Sequence, residues 1–187
     1  TETIVQLIAK SKREKFLEKL IDALFQIQGG YSLVLMTNKK LVGVRDPLGI
    51  RPLVIGKLNN AYIFASETCA LDIVGAKFIR EVDNGEIIII EDSKLKSVKP
   101  FPPQKSRPCV FEYIYFARPD SLINGKCAYE YRKNLGLELA KETSIKADLV
   151  IPVPDSGVPA AIGFAEQSNI KFELGLIRNH YVGRTFI

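Results

Sequence analysis

"ADLVIPVPDSGVPAAIGFAEQ", residues 147–167, decides how the second half of this chain is built. An apolar run heads into Pro152, Val153, Pro154, Asp155, Ser156 and Gly157, and a small-residue, helix-compatible stretch follows at once. "ADLVIPV" is apolar on consecutive positions, the pattern of a parallel strand covered on both faces. The two prolines lack backbone N–H groups, so they end the ladder and forbid helix. Asp155, Ser156 and Gly157 then stand where a helix begins, with Ser156 placed to cap it and leave first-turn N–H groups free. Such groups, at the positive end of a helix dipole, make a site for phosphate. A hydroxyl and a carboxylate beside them suit a divalent cation, which prefers oxygen ligands. In open parallel sheets, ligands collect at the carboxyl ends of strands. A plain strand-to-helix turn has the same local sequence, so the loop by itself leaves both readings standing.

The surroundings extend the pattern. "YEYRKNLGLELAKET" reads as a helix before the loop, and "FELGLIRNHYV" as a strand after it. Alternating strand and helix is the signature of a parallel sheet with crossover helices. Upstream of "KPFPPQKSRP" (99–108), whose prolines and charges mark a boundary, the grammar is different. Residues 2–27 carry apolar positions at helical intervals, as two helices or one with a break near Ser11. The glycines at 29 and 30 end that section. Short β-rich runs follow ("YSLVLMT", "KLVGVRD", "PLVIGKL", "AYIFASE", "EIIII"), separated by turn chemistry and interrupted by a helix at 68–76. Short gaps favour antiparallel neighbours. The expected fold class is therefore α+β, then α/β, with one domain over residues 1–100 and a second over 101–187.

Composition narrows the class. Of 187 residues, 47% are hydrophobic and 25% charged, and no apolar stretch approaches membrane-spanning length, so a soluble globular protein is expected. The three cysteines, Cys69, Cys109 and Cys127, form no C-x-x-C pair. That argues against a disulfide scaffold and a structural zinc site, and fits a reducing, cytoplasmic setting. The net charge of +5 is modest. Its densest cluster, "KSKREKFLEK" (10–19), interleaves acids and apolar residues as a solvated helix face does, without the aromatics of a nucleic-acid surface. The only methionine, Met36, lies inside a strand-like run. The sequence reads as an internal piece of a longer protein.

Four stretches in order, "GVRDPLGIRPLVIGK" (43–57), "FASETCALDIVGA" (64–76), "FEYIYFARPDS" (111–121) and "RNHYVGRTFI" (178–187), closely resemble the amidophosphoribosyltransferase family over essentially the whole chain. The resemblance implies a fold and a reaction. A glutaminase domain of stacked β-sheets, of the N-terminal-nucleophile (Ntn) type, releases ammonia from glutamine with a terminal cysteine. A type I phosphoribosyltransferase domain passes it to phosphoribosyl pyrophosphate (PRPP), displacing pyrophosphate to give 5-phosphoribosylamine, the first step of purine synthesis. It further implies magnesium, purine nucleotides as inhibitors, a homo-oligomer, and no nucleic-acid or membrane partner. The opening loop corresponds to the family's pyrophosphate loop: Asp155, Ser156 and Gly157 would contact the diphosphate, Ser156 as a magnesium ligand, with Arg184 as a further phosphate contact. Thr1 stands where a terminal nucleophile would need to be, in a helical neighbourhood. No glutaminase chemistry is therefore expected from this piece, which would be inactive alone. The alternatives are a different phosphoribosyltransferase without a glutaminase half, or a non-catalytic nucleotide-binding relic.

Other residues have less pointed readings. Arg45, Asp46 and Arg51 read as a salt-bridged turn. Ser66 or Thr68 reads as a helix cap, and Cys69 as a small buried side chain. Some members of the resembling family bind a [4Fe-4S] cluster with a cysteine at the position of Cys109, and others keep the cysteine without a cluster; four thiolates are needed and one is visible. Arg118, Asp120 and Ser121 would line the passage or site between domains, or simply form a tight loop around Pro119. His180, the sole histidine, reads as a packing or hydrogen-bonding residue.

Overall fold

The computed structural model describes residues 1–183. The chain divides into two compact units, one made of Thr1–Ser66 and Ala70–Cys109, the other of Glu67–Cys69 and Val110–Ile187. Among the described residues no helix is long and apolar enough to cross a membrane.

In the first unit, helices α1 (Glu2–Lys10) and α2 (Phe16–Leu24) are separated at Ser11, whose Oγ donates to Asp22 at 2.7 Å. Strands β1 (Ser32–Met36), β2 (Lys40–Arg45), β6 (Ile87–Glu91) and β7 (Lys94–Val98) form an antiparallel sheet in the order β1-β2-β6-β7. Strands β3 (Val54–Leu58), β4 (Ala61–Ala65) and β5 (Lys77–Glu81) form a second, in the order β4-β3-β5, and α3 (Thr68–Ile73) follows β4 in the chain. Side-chain parity stacks these layers. Ile87 and Ile89 join Val42, Val44, Leu20 and Leu24 on the helix side of the first sheet. Ile88, one residue out of phase, packs with Leu53, Ile55 and Val82 between the sheets. Val54 turns the other way, to Leu71 of α3. This explains "EIIII": a strand sandwiched between helices and a second sheet is apolar on both faces. Each such isoleucine stabilises the fold by roughly 1.5–3 kcal/mol.

Two strands had no apolar signature in the sequence. β5 and β7 are edge strands with charged residues, "KFIRE" and "KLKSV", and each is set by its partner strand: β5 by β3, more than fifteen residues back in the chain, and β7 by the adjacent β6. β7 is delivered by a tight hairpin in which Asp92 and Ser93 both take positive φ (50° and 59°).

The two edges also share a buried carboxylate. Glu86, 1% exposed, receives Arg80 bidentately at 2.6 and 2.8 Å, the Ser97 hydroxyl at 2.6 Å and the Asp83 N–H at 2.7 Å. Burial pushes its pKa up, but these donors outweigh it and bring the carboxyl down from 4.5 to about 2. A carboxylate with a depressed folded-state pKa stabilises the fold fully above its unfolded value, and that stability is lost as pH falls through the folded one. Urea unfolding at pH 5 and pH 2 is expected to show the parent losing about 3 kcal/mol more than Glu86→Gln over that interval. Equal losses in the two proteins would refute the assignment.

The second unit opens with a π-helical turn, Glu112–Phe116, and a short hairpin of β8 (Leu122–Ile123) and β9 (Lys126–Cys127) around Asn124 and Gly125. Helix α4 (Ala128–Glu142) leads to β10 (Leu149–Val150), α5 (Val158–Ser168) and β11 (Lys171–Phe172), with β10 and β11 parallel. The expected long strands at 147–153 and 172–182 are thus two residues each. Coverage on both faces of the first is not found either: Leu149, Ile151 and Val153 are 44–70% exposed, while Pro152 between them is buried. A two-strand ladder shields one side of the run.

Helices α4 and α5 cross with almost no space between backbones. A Cβ on Gly136 would lie 1.9 Å from the Ala160 carbonyl oxygen, and one on Gly163 2.0 Å from that of Lys133. Lys133 Nζ also pairs with Glu166 at 2.8 Å.

Candidate functional site

The bend at 154–157 follows the carboxyl end of β10. Its peptide between Pro154 and Asp155 is cis. Gly157 donates to the Val153 carbonyl at 3.0 Å and Val158 to that of Asp155 at 3.3 Å, so the chain tightens by one turn before α5 starts. A Cβ on Gly157 would meet the Val153 oxygen at 2.7 Å, which reserves the position for glycine. Ser156 does not cap the helix; Gly157 is the N-cap residue, without a side-chain cap bond. The reason is geometric, because the tightened turn closes on main-chain carbonyls instead. Pro159, near the start of α5, brings no N–H and loses none there.

Two N–H groups remain. Those of Asp155 and Ser156 meet no acceptor among the described residues, and both residues are exposed. The Asp155 carboxylate pairs with Arg178 Nη1 at 3.5 Å, both side chains more than half exposed. The segment after β11 is therefore brought beside the bend. A pair of open amides, a hydroxyl and an arginine can hold an anion. The oxygen donors of Asp155 and Ser156 fit magnesium in company with phosphate. Arg184 lies outside the described residues. His180 is exposed.

A second constellation lies at the other end of α4. Glu67 Oε2 accepts the Arg118 N–H and the Ser121 hydroxyl, both at 2.7 Å. Ser121 Oγ also lies 3.0 Å from Cys69 Sγ. Cys69 is buried, as expected, and burial pushes its thiol pKa up. Thr68 accepts the Leu122 N–H at 2.8 Å through its hydroxyl, so it ties down a loop where a helix cap was expected. Arg118 forms a bidentate pair with Asp120 at 3.0 and 2.9 Å. Arg132, 4% exposed, donates from Nε to the Tyr113 carbonyl and from Nη2 to that of Ala117, both at 2.7 Å. Glu67 and Arg132 escaped the sequence reading because an isolated acid, and a base inside "YRK", look like surface charges.

The turn at 45–51 has a salt bridge, as expected, from Arg45 to Glu81, but it is buried and held mainly by main-chain hydrogen bonds. Asp46 is fully buried and accepts the N–H groups of Tyr31, Leu48, Ile50 and Arg51. Arg45 donates to the carbonyls of Arg51 and Val82 and pairs with Glu81. Cys109 is half-buried, with its N–H on the Ile50 carbonyl. Among the described residues no three His, Cys, Asp or Glu side chains gather for a metal. The residues described thus provide an iron–sulfur cluster with one thiol and do not by themselves fit one.

Comparison with known proteins gives a consistent picture. Residues 1–72 match the glutamine amidotransferase domain family. All of the chain aligns with an amidophosphoribosyltransferase of Rhizobium etli at 56% identity, covering 39% of that protein. The Bacillus subtilis enzyme of the same name aligns at 47% identity, again over the whole chain and 39% of the relative. Among solved structures, a glutamine PRPP amidotransferase from B. subtilis, complexed with ADP and GMP, superposes with a TM-score of 0.95 at 46% identity. That match takes in the entire chain and 41% of the solved one. The chain spans about two fifths of the length of these relatives.

Proposed function

This chain belongs to the amidophosphoribosyltransferase family, and from that premise we propose that its second unit holds the diphosphate of PRPP in a longer enzyme. In the parent reaction, glutamine-derived ammonia attacks the ribose C1, the bond from C1 to pyrophosphate breaks, and 5-phosphoribosylamine forms. The first unit is read as the later part of the Ntn glutaminase domain. The β10–α5–β11 segment is read as the start of a type I phosphoribosyltransferase sheet. The observation that carries the proposal is the solvent-open bend at the carboxyl end of β10, with unbonded N–H groups on Asp155 and Ser156.

These N–H groups stabilise the charge that builds on the leaving diphosphate, and Ser156 offers its hydroxyl to magnesium. Magnesium, when bound, neutralises diphosphate charge. Gly157 contributes by allowing the turn to close on Val153. Arg184, by its chemistry, is proposed to meet a phosphate. Cys109 can serve an iron–sulfur cluster only with three further ligands from elsewhere in the longer protein. Purine nucleotides are proposed as ligands because a solved relative carries ADP and GMP. A homo-oligomer in the cytoplasm completes the reading, with plastids as the counterpart in plants, where relatives are named chloroplastic. A phosphoribosyltransferase lacking a glutaminase half accords poorly with the match over residues 1–72.

Ser156→Ala in the full-length enzyme is expected to lower kcat/KM for magnesium-dependent PRPP use by roughly 10–100-fold, the effect of losing a bond to a charged group. Glutamine hydrolysis should be spared. Equal loss of both activities in a folded protein would count against the role given to Ser156.

A further inference from the structure

We infer that Arg132 is a positioning residue that couples the diphosphate bend to the aromatic turn at 112–121. The inference rests on the function proposed for the bend. Three rings of that turn, Phe111, Tyr115 and Phe116, are each more than half exposed, while Tyr113 packs on Tyr131 of α4 with ring centroids 4.7 Å apart. Its backbone is fixed by two polar clamps. Glu67 takes the Arg118 N–H and the Ser121 hydroxyl at one end. Arg132 takes the Tyr113 and Ala117 carbonyls at the other. A buried guanidinium bound to carbonyls at 2.7 Å is a strong and directional tie, since its loss strands buried acceptors.

The other side of α4 leads to the bend. Lys133, the next residue, has its carbonyl against Gly163 of α5, and Gly136 sits against the carbonyl of Ala160 in the first turn of that helix. Two backbone contacts this close leave α4 and α5 no room to slide past one another, so they move together. The open amides of Asp155 and Ser156 lie directly before that first turn. An anion that orders the bend therefore orders α5, then α4, and through Arg132 the carbonyls of the aromatic turn. The element with two arrangements is the turn itself, clamped or released.

Hydrogen exchange at the Ala117, Arg118 and Ser121 amides, with and without magnesium pyrophosphate, reads this coupling. In the parent chain, saturating magnesium pyrophosphate should slow exchange there by on the order of fivefold or more, the usual span of such couplings. Arg132→Met should bind pyrophosphate within about twofold of the parent while losing that protection. Arg132→Lys keeps the charge but reaches fewer acceptors, and should retain an intermediate effect. Full protection in Arg132→Met, or in Arg132→Lys if the methionine variant does not fold, overturns the proposal. So does pyrophosphate binding to the parent without any protection of the turn. Failure of the parent to bind pyrophosphate at all refutes the reading of the bend and removes the proposal with it.

Discussion

Gly163→Ala is expected to destabilise the second unit by about 3 kcal/mol or more, the upper range for overpacking. The added Cβ would stand 2.0 Å from the Lys133 carbonyl oxygen, 2.9 Å from its carbon and 3.1 Å from the Leu137 nitrogen, where ordinary contact begins near 3.4 Å. All three atoms are backbone inside a helix, so no side chain can swing aside. The helices must part by more than 1 Å along their whole crossing, given those separations. Alanine's better helix propensity returns only about 1 kcal/mol. Gly136→Ala should behave alike, since its Cβ meets the Ala160 oxygen at 1.9 Å. Leu139→Ala, on the 53% exposed side of α4, should shift stability by no more than about 0.5 kcal/mol. Urea unfolding monitored by exchange of α4 and α5 amides separates these outcomes, and a Gly163→Ala protein as stable as its parent would show that the crossing is not close-packed.

Asp46→Ala should cost the first unit about 3–5 kcal/mol, as removal of one partner from a buried charged network does. The carboxylate is 0% exposed, and its two oxygens accept four backbone N–H groups at 3.0–3.3 Å. Alanine leaves those donors without an acceptor, and water reaches a site of zero exposure only by opening the loop. Asp46→Asn keeps one acceptor oxygen but turns an amide N–H₂ toward N–H donors, so it should lie much closer to alanine than to the parent. The denaturation midpoint of the first unit, followed at β2 and β6 amides, measures both. An asparagine variant with parental stability would mean that neither the carboxylate charge nor its full set of hydrogen bonds holds the turn.

These two sites show what a sequence displays and what it hides. The run Ile87–Ile90 announces a strand buried on both faces, and Ser11 marks the break between α1 and α2. Both are local signals. β5 and β7 carry charged residues and exist because β3 and β6 offer them unpaired edges, information held in the partner strand and not in their own residues. "FELGLIRNHYV" errs in the opposite direction: apolar residues alone do not make a strand, and the pairing with β10 ends with the Glu173 N–H on the Val150 carbonyl. At the candidate site, Pro152, Pro154 and Gly157 made the bend legible. Which amides stay open was not, because that depends on Gly157 reaching back to Val153. Glu67, Asp46 and Arg132 look like surface charges until the fold buries or clamps them.

The bend after β10 is proposed to receive a diphosphate on the amides of Asp155 and Ser156. Amide-resolved NMR during titration with magnesium pyrophosphate tests it directly. Saturable shifts, largest at Asp155 and Ser156, are expected. Saturable binding that leaves those two amides unmoved, or no binding at all, would contradict it.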